Sequence, residues 1–168
     1  PTAALGETLL ESPGCERASA CFMGIRPGVT TIPQAFALLQ QHPWVNYVYT
    51  QQYTQITWTW SGAQPAYIDD SFPGTIIQRG YSSVSLIRIQ TRFPFGEVWL
   101  HFGAPVSGYV SRQANGLLHG IYYSEQELLA INFTRCPVQP LGFWSTPAAI
   151  QFGDAYVVLD QRYRAQST

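Results

Sequence analysis

Thr31 and Gln34 stand three residues apart at the head of an apolar run, with Pro33 between them and Pro43 nine residues beyond Gln34. This spacing constrains the chain more than any other. The Thr31 hydroxyl can accept from the Gln34 backbone N–H while the Gln34 side chain reaches back to Thr31, which is a capping box. Pro33 falls in the first turn, where its missing N–H removes a donor with no intrahelical partner. Ile32, Ala35, Phe36 and Leu39 then recur at helical spacing, with Gln34, Gln40 and Gln41 mostly outside the stripe. Pro43 biases His42 toward extended backbone. The spacing predicts a helix from about Ile32 to Gln41, one face packed and the other wet, with a strand to follow.

Strand signals come next. Residues 44–50 and 53–60 are rich in Tyr, Trp, Val, Ile and Thr and read as a hairpin around Gln51-Gln52. In its second strand Ile56, Trp58 and Trp60 alternate with Gln55, Thr57 and Thr59. A loop over 61–73 precedes a short strand at 75–78 and a longer one at 81–90. There Val84 and Leu86 face one side and Ile87 and Ile89 the other, so that strand is either bulged or covered on both faces. A shorter echo of the capped helix follows at 97–105, with Gly103 as helix end and Pro105 as stop. Phe36 aligns on Trp99 and Leu39 on Phe102. Strands at 106–111, 117–123 and 128–133 are separated by turn signals at Asn115-Gly116 and 124–127. Residues 136–147 read as irregular, anchored by Phe143 and Trp144, with a last strand at 156–159.

The expected fold class is therefore α+β, an antiparallel sheet with two short helices, built as a tandem repeat of a helix-then-meander unit. The units are residues 24–90 and 91–160, packed as one domain. Residues 1–23 read as an N-terminal arm and 161–168 as a polar tail.

Composition bounds the function. A chain of 168 residues buries roughly 70% of its unfolded surface, so a real core is available. Apolar residues make up 46% and charged residues only 11%, so polarity at the surface falls to Gln, Ser, Thr and Tyr. Nine Arg, no Lys and a net charge of −1 supply no basic footprint for nucleic acid and no polybasic membrane patch. No run reaches the roughly 18 apolar residues of a membrane span. The first residues lack the charged and apolar regions of a signal peptide, so the chain reads as already processed. Three cysteines, the absence of Lys and the sequon Asn132-Phe133-Thr134 fit a secreted, periplasmic or cell-envelope protein, with Asn132 a glycosylation candidate.

A Gly-x-Thr turn at Gly28, a short helix ending in Leu38-Leu39, a Pro exit and an antiparallel meander resemble units of the BamE/SmpA-like and β-lactamase-inhibitor-protein-like group. The resemblance covers mainly residues 28–45 and, more weakly, 97–106. The second copy has no Gly-x-Thr, and Pro43-Trp44 stands where that group often has Gly-x-Pro. What the resemblance implies is a non-catalytic, envelope-associated or secreted binding fold.

No catalytic, cofactor or metal constellation emerges from the motifs. There is no Gly-x-Ser-x-Gly elbow, phosphate loop, dinucleotide fingerprint or His-Glu-x-x-His helix. Cys136 with His42, His101 or His119 could be written as a Cys–His pair, but a thiol before Pro in an apolar loop reads better as a disulfide or buried thiol. Adjacent Asp69 and Asp70 diverge, and a carboxylate dyad would need Asp154 or Glu97; solvation or loop capping is the plainer reading. The aromatic content, 5 Trp, 10 Tyr and 9 Phe, needs the most explanation. Tyr47, Tyr49, Tyr53, Trp58, Trp60, Tyr122 and Tyr123 sit on expected strands, either as core or as an interaction surface of rigid rings. The chain is thus expected to be an exported, non-enzymatic module that binds a protein partner or itself. A carbohydrate-binding module using exposed Trp and Tyr is the alternative, and a hydrolase or hydrolase inhibitor comes third.

Cysteine pairing follows from loop closure. Joining Cys15 to Cys21 closes a small loop, whereas joining either to Cys136 closes more than a hundred residues and constrains the unfolded chain by roughly 4 kcal/mol. Cys21 with Cys136 is the expected pair, leaving Cys15 free or intermolecular.

Overall fold

A computed structural model describes residue 15 and residues 20–51, 54–78 and 82–153. Helix α1 spans Ile32–Gln41 with the expected capping box, Thr31 as N-cap and Pro in the first turn. The Thr31 hydroxyl accepts from the Gln34 N–H at 3.4 Å and the Gln34 side chain accepts from the Thr31 N–H at 3.0 Å. His42 is extended, as the following Pro43 requires. Strands β1 (Val45–Gln51), β2 (Gln55–Trp60), β3 (Gly74–Ile77) and β4 (Leu86–Pro94) come next, then α2 (Phe95–Phe102), β5 (Ser107–Gln113), β6 (Gly116–Tyr123), β7 (Leu128–Arg135), α3 (Pro140–Ser145) and β8 (Pro147–Gly153). The protein is α+β: the described residues form eight antiparallel strands in the order β1-β2-β3-β4-β8-β7-β6-β5 and three short helices. In each half a helix precedes four strands of a meander, and the halves meet where β4 pairs with β8.

Pairing register sorts the side chains onto two faces, because directly opposed residues share a face. One row runs Ile56, Ile76, Ile87, Phe152, Leu128, Tyr123 across six strands. All six belong to the main core, into which α1 buries Ala35 and Leu39 and α2 buries Phe95 and Val98. A tight hairpin at Phe22–Ile25, turned by Met23 and Gly24 at positive φ, adds Phe22, whose ring stacks on Phe152 at 5.5 Å. In β1 a bulge between Val45 and Tyr47 shifts the register, so that Val45 and Val48 both turn toward this core. Trp58 is opposed by Gly74, where a Cβ would lie inside the indole ring. Only glycine lets the largest buried side chain lie flat on the neighbouring strand.

Several expectations change here. Trp58, Trp60 and Tyr123 are core residues, not interaction-surface candidates, and burial pushes the Tyr123 hydroxyl up to about 12. The alternation that separated Trp58 and Trp60 from the threonines was right, but helices cover the tryptophan side. Tyr53 and the strand expected at 156–159 lie outside the described residues, as do the tail and all of the arm except Cys15 and residues 20–23. The long strand begins at Leu86, not at residue 81, and its first two residues, Leu86 and Ile87, are both buried, so it is covered on both faces at its start. The region read as irregular contains α3 and the start of β8, which takes a central place in the sheet.

The expected Cys21–Cys136 disulfide is overturned: Cys15 pairs with Cys21, Cα atoms 5.5 Å apart, and Cys136 is free and exposed. The reason is distance. Ala20 donates its N–H to Gln126 O at the turn before β7, whereas Cys136 follows the other end of β7 and donates to Asn115 O. The eight residues of β7 span about 26 Å at roughly 3.3 Å each, far beyond the roughly 7 Å limit between bridged Cα atoms. Replacing Gly74 by Ala should therefore displace the Trp58 ring and lower stability by about 1–3 kcal/mol. Thermal unfolding followed by tryptophan fluorescence measures it, and an unchanged midpoint would contradict this packing.

Candidate functional site

The face opposite the helices carries the other row: Thr57, Thr75, Arg88, Gln151, Leu129 and Tyr122. Register assigns Tyr47 and Tyr49, opposite Thr59 and Thr57, to this side. Their rings stack with centroids 6.0 Å apart, and Tyr47 is 64% exposed. At the other end, Leu129 and Ile131 form a small second cluster with Tyr109, Leu118, Tyr122 and Ala149 against them. Of the seven aromatic candidates, Tyr47, Tyr49 and Tyr122 lie on this face. Tyr122 is half-buried and belongs to the cluster.

A groove of about 600 Å³ crosses this face between the two ends. Arg88 and Gln90 of β4, Ala149 of β8, Ile131 and Phe133 of β7, Leu118 of β6 and Tyr109 of β5 line it, with Thr146 and Pro147 at one end. On the β3 side it is bounded by Asp69, Phe72 and Pro73. Phe72 is 54% exposed and Phe133 40%, so two large rings of the wall meet solvent, as do Pro73, Arg88 and Pro147. Tyr109 stands over Gly120, its cross-strand partner, where a Cβ would run into the phenol ring. The arrangement repeats Trp58 over Gly74 on the opposite face.

The loop that brings Phe72 to the groove is fixed by its own hydrogen bonds. Ile68 is fully buried and bridges to Thr91, the Asp69 N–H donates to Gln90 O at 3.0 Å, and the Arg92 N–H donates to Tyr67 O at 2.7 Å. Residues 67–69 thus extend the sheet beside β4 beyond the end of β3. The Trp60 indole N–H donates to Phe72 O at 2.9 Å, so a core tryptophan holds the backbone of the exposed phenylalanine. Arg92 reaches Asp70 at 2.7 Å and Asp69 at 3.9 Å, and donates to Ala66 O at 3.1 Å. Asp69 also caps the Ser71 N–H at 3.2 Å. These carboxylates are loop-fixing groups held by a guanidinium, and at half-exposed positions the pairing itself adds little stability. Asp154 lies outside the described residues.

The remaining candidates do not gather into a site. His119 Nε2 lies 3.3 Å from the Thr134 hydroxyl, and its ring is edge-on to Phe143 at 4.8 Å, on the helix side of the sheet. His42 Nδ1 accepts from the Trp44 N–H at 3.2 Å. His101 packs on Phe102 at 4.7 Å. Among the described residues no three His, Cys, Asp or Glu side chains are grouped to hold a metal ion. Asn132 is 1% exposed and donates its amide to Phe143 O at 2.8 Å. This overturns its reading as a glycosylation site, since a buried side chain in mid-strand offers no room for a glycan. Phe72, Tyr109 and Phe133, which dominate the groove, were not singled out by sequence. They come from three elements, and only the pairing register brings them to one wall.

Burial holds the His42 and His119 imidazoles below their ordinary value of about 6.5, because a charged ring loses hydration on folding. Such a group is neutral in both states above pH 6.5, and the unfolded chain binds its proton first as the pH falls. Stability should therefore be full above pH 6.5 and decline below it, and His119→Gln should flatten the decline. Unfolding midpoints from pH 7.5 to 5 measure this; equal slopes in both proteins would contradict it. Comparison with protein-family models, with curated proteins and with solved structures found no match.

Proposed function

We propose that this chain is an exported, non-catalytic interaction module that binds a protein partner across the helix-free face of its sheet, as a subunit of a cell-envelope or extracellular assembly. The groove carries the reading. It is about 600 Å³, predominantly apolar, and bordered by the exposed rings of Phe72 and Phe133 with Tyr109 beside them. Rigid aromatic side chains supply contact area at small cost in ordering entropy, and a few of them dominate interface energetics. Arg88 at one wall gives a planar donor of the kind interfaces favour. The Cys15–Cys21 disulfide supports an oxidising compartment. No helix among the described residues is long and apolar enough to cross a membrane. The resemblance of residues 28–45 to the BamE/SmpA-like and β-lactamase-inhibitor-protein-like group points the same way.

The test is cross-linking of the native assembly with wild type and with Phe133→Arg, followed by affinity measurement on the recovered partner. Phe133 and Phe72 are expected to behave as anchors, so Phe133→Arg should cost about 2 kcal/mol, roughly thirtyfold in Kd, with the fold intact by circular dichroism. Glycan-array binding that disappears with Phe133→Arg, in the absence of a protein partner, would favour the carbohydrate-binding reading.

A further inference from the structure

The sheet has two outer strands, β1 and β5, and they differ in a way that bears on what can join them. An edge strand presents a row of backbone N–H and C=O groups turned away from its neighbour, and proteins commonly guard such rows with charge, proline or a bulge. In β5, Arg112 is an exposed charge at the edge. In β1 the sequence Val45–Gln51 carries neither charge nor proline. Its bulge lies at one end, between Val45 and Tyr47, leaving Tyr47 to Gln51 in regular register with β2. Among the described residues no other strand pairs with β1. The surroundings are uncharged too. From Pro27 to Ile68 there is no Asp, Glu, Lys or Arg, a stretch that contains all of α1, β1 and β2.

We propose that the β1 edge pairs with β1 of a second copy of this chain, antiparallel about a two-fold axis near Val48, joining two sheets into one. A two-fold contact near Val48 sets Val48 against its own image and Tyr47 against Tyr49, so charge of one sign on this short edge would be doubled across the seam. This edge carries none. A different protein would gain no charge selectivity from it, whereas a second copy supplies a strand of matching length and alternation. Around Val48 the two-fold sets Tyr47 of one copy opposite Tyr49 of the other, adding aromatic cross-strand pairs on the helix-free face. On the opposite side α1 packs over β1 and leaves Leu38 40% exposed.

Analytical ultracentrifugation of the purified chain should show a monomer–dimer equilibrium in the micromolar range. Tyr47→Lys/Tyr49→Lys should weaken the dimer roughly tenfold or more by placing like charges across the seam, as should Tyr47→Glu/Tyr49→Glu. An equimolar mixture of the two variants should recover a heterodimer. Val110→Lys on β5 and Phe133→Arg in the groove should leave dimerisation unchanged, which separates this contact from the partner site. Independently of any variant, hydrogen exchange at residues 45–51 should slow as the wild-type concentration rises. A chain that stays monomeric, a dimer indifferent to both double variants, a dimer lost with Val110→Lys, exchange at β1 that ignores concentration, or a foreign peptide found paired on β1 in place of a second copy would each overturn the proposal.

Discussion

Everything in this sheet depends on the pairing of β4 with β8. Each half is a four-stranded meander with one outer edge and one inner edge, and the inner edges belong to β4 and β8. Their ladder sets Ile87 against Phe152 and Ile89 against Ile150, all fully buried, on the side where the helices lie. Phe22 stacks on Phe152 above the seam, so the segment before α1 is tied to the same strand pair. Separate halves would each expose a hydrophobic inner strand and lose the shared core between the helices. The seam also fixes the groove, because Arg88 and Gln90 stand beside Ala149 across it, and their placement brings the Phe72 loop within reach of Phe133.

Local chemistry was legible where it was self-sufficient. The capping box, Pro33 and Pro43 set both ends of α1 without help from the rest of the chain, and the turns at Asn115-Gly116 and 124–127 delimited β6 and β7. What failed needed a neighbour. Alternation in β2 sorted its residues into two faces but held no information on which face the helices would cover, so core and interaction surface both stayed open for Trp58 and Trp60. β8 was missed because Pro147, Ala148 and Ala149 make a poor strand signal, although Ala148, Ile150 and Phe152 alternate onto the core. In α3, Pro140 and Gly142 within six residues masked a helix held against β7 and α2. The loop-entropy argument for Cys136 ranked pairings by chain length and ignored the length of β7 between the thiols. The sequon at Asn132 is likewise blind to burial.

The two faces share one device for opposite ends. Trp58 over Gly74 buries an indole in the core, and Tyr109 over Gly120 lays a phenol along the groove. In both, a missing Cβ on one strand creates a shelf for a ring on the next, fixing the ring without a dedicated pocket. Trp60 links the faces more directly: its ring is in the core while its N–H holds the carbonyl of Phe72. The backbone of the exposed phenylalanine is thus held by a residue of the core.

The place of β8 has a consequence for synthesis. β4 ends at Pro94 and its inner neighbour ends at Gly153, so about sixty residues must be made after β4 before its ladder can close. At roughly 5–20 residues per second this leaves an apolar strand edge without its native neighbour for about 3–12 seconds on each new chain. During that interval the first half presents Ile87 and Ile89 on an open ladder. A chaperone would act on this protein chiefly by guarding that one strand until its mate arrives.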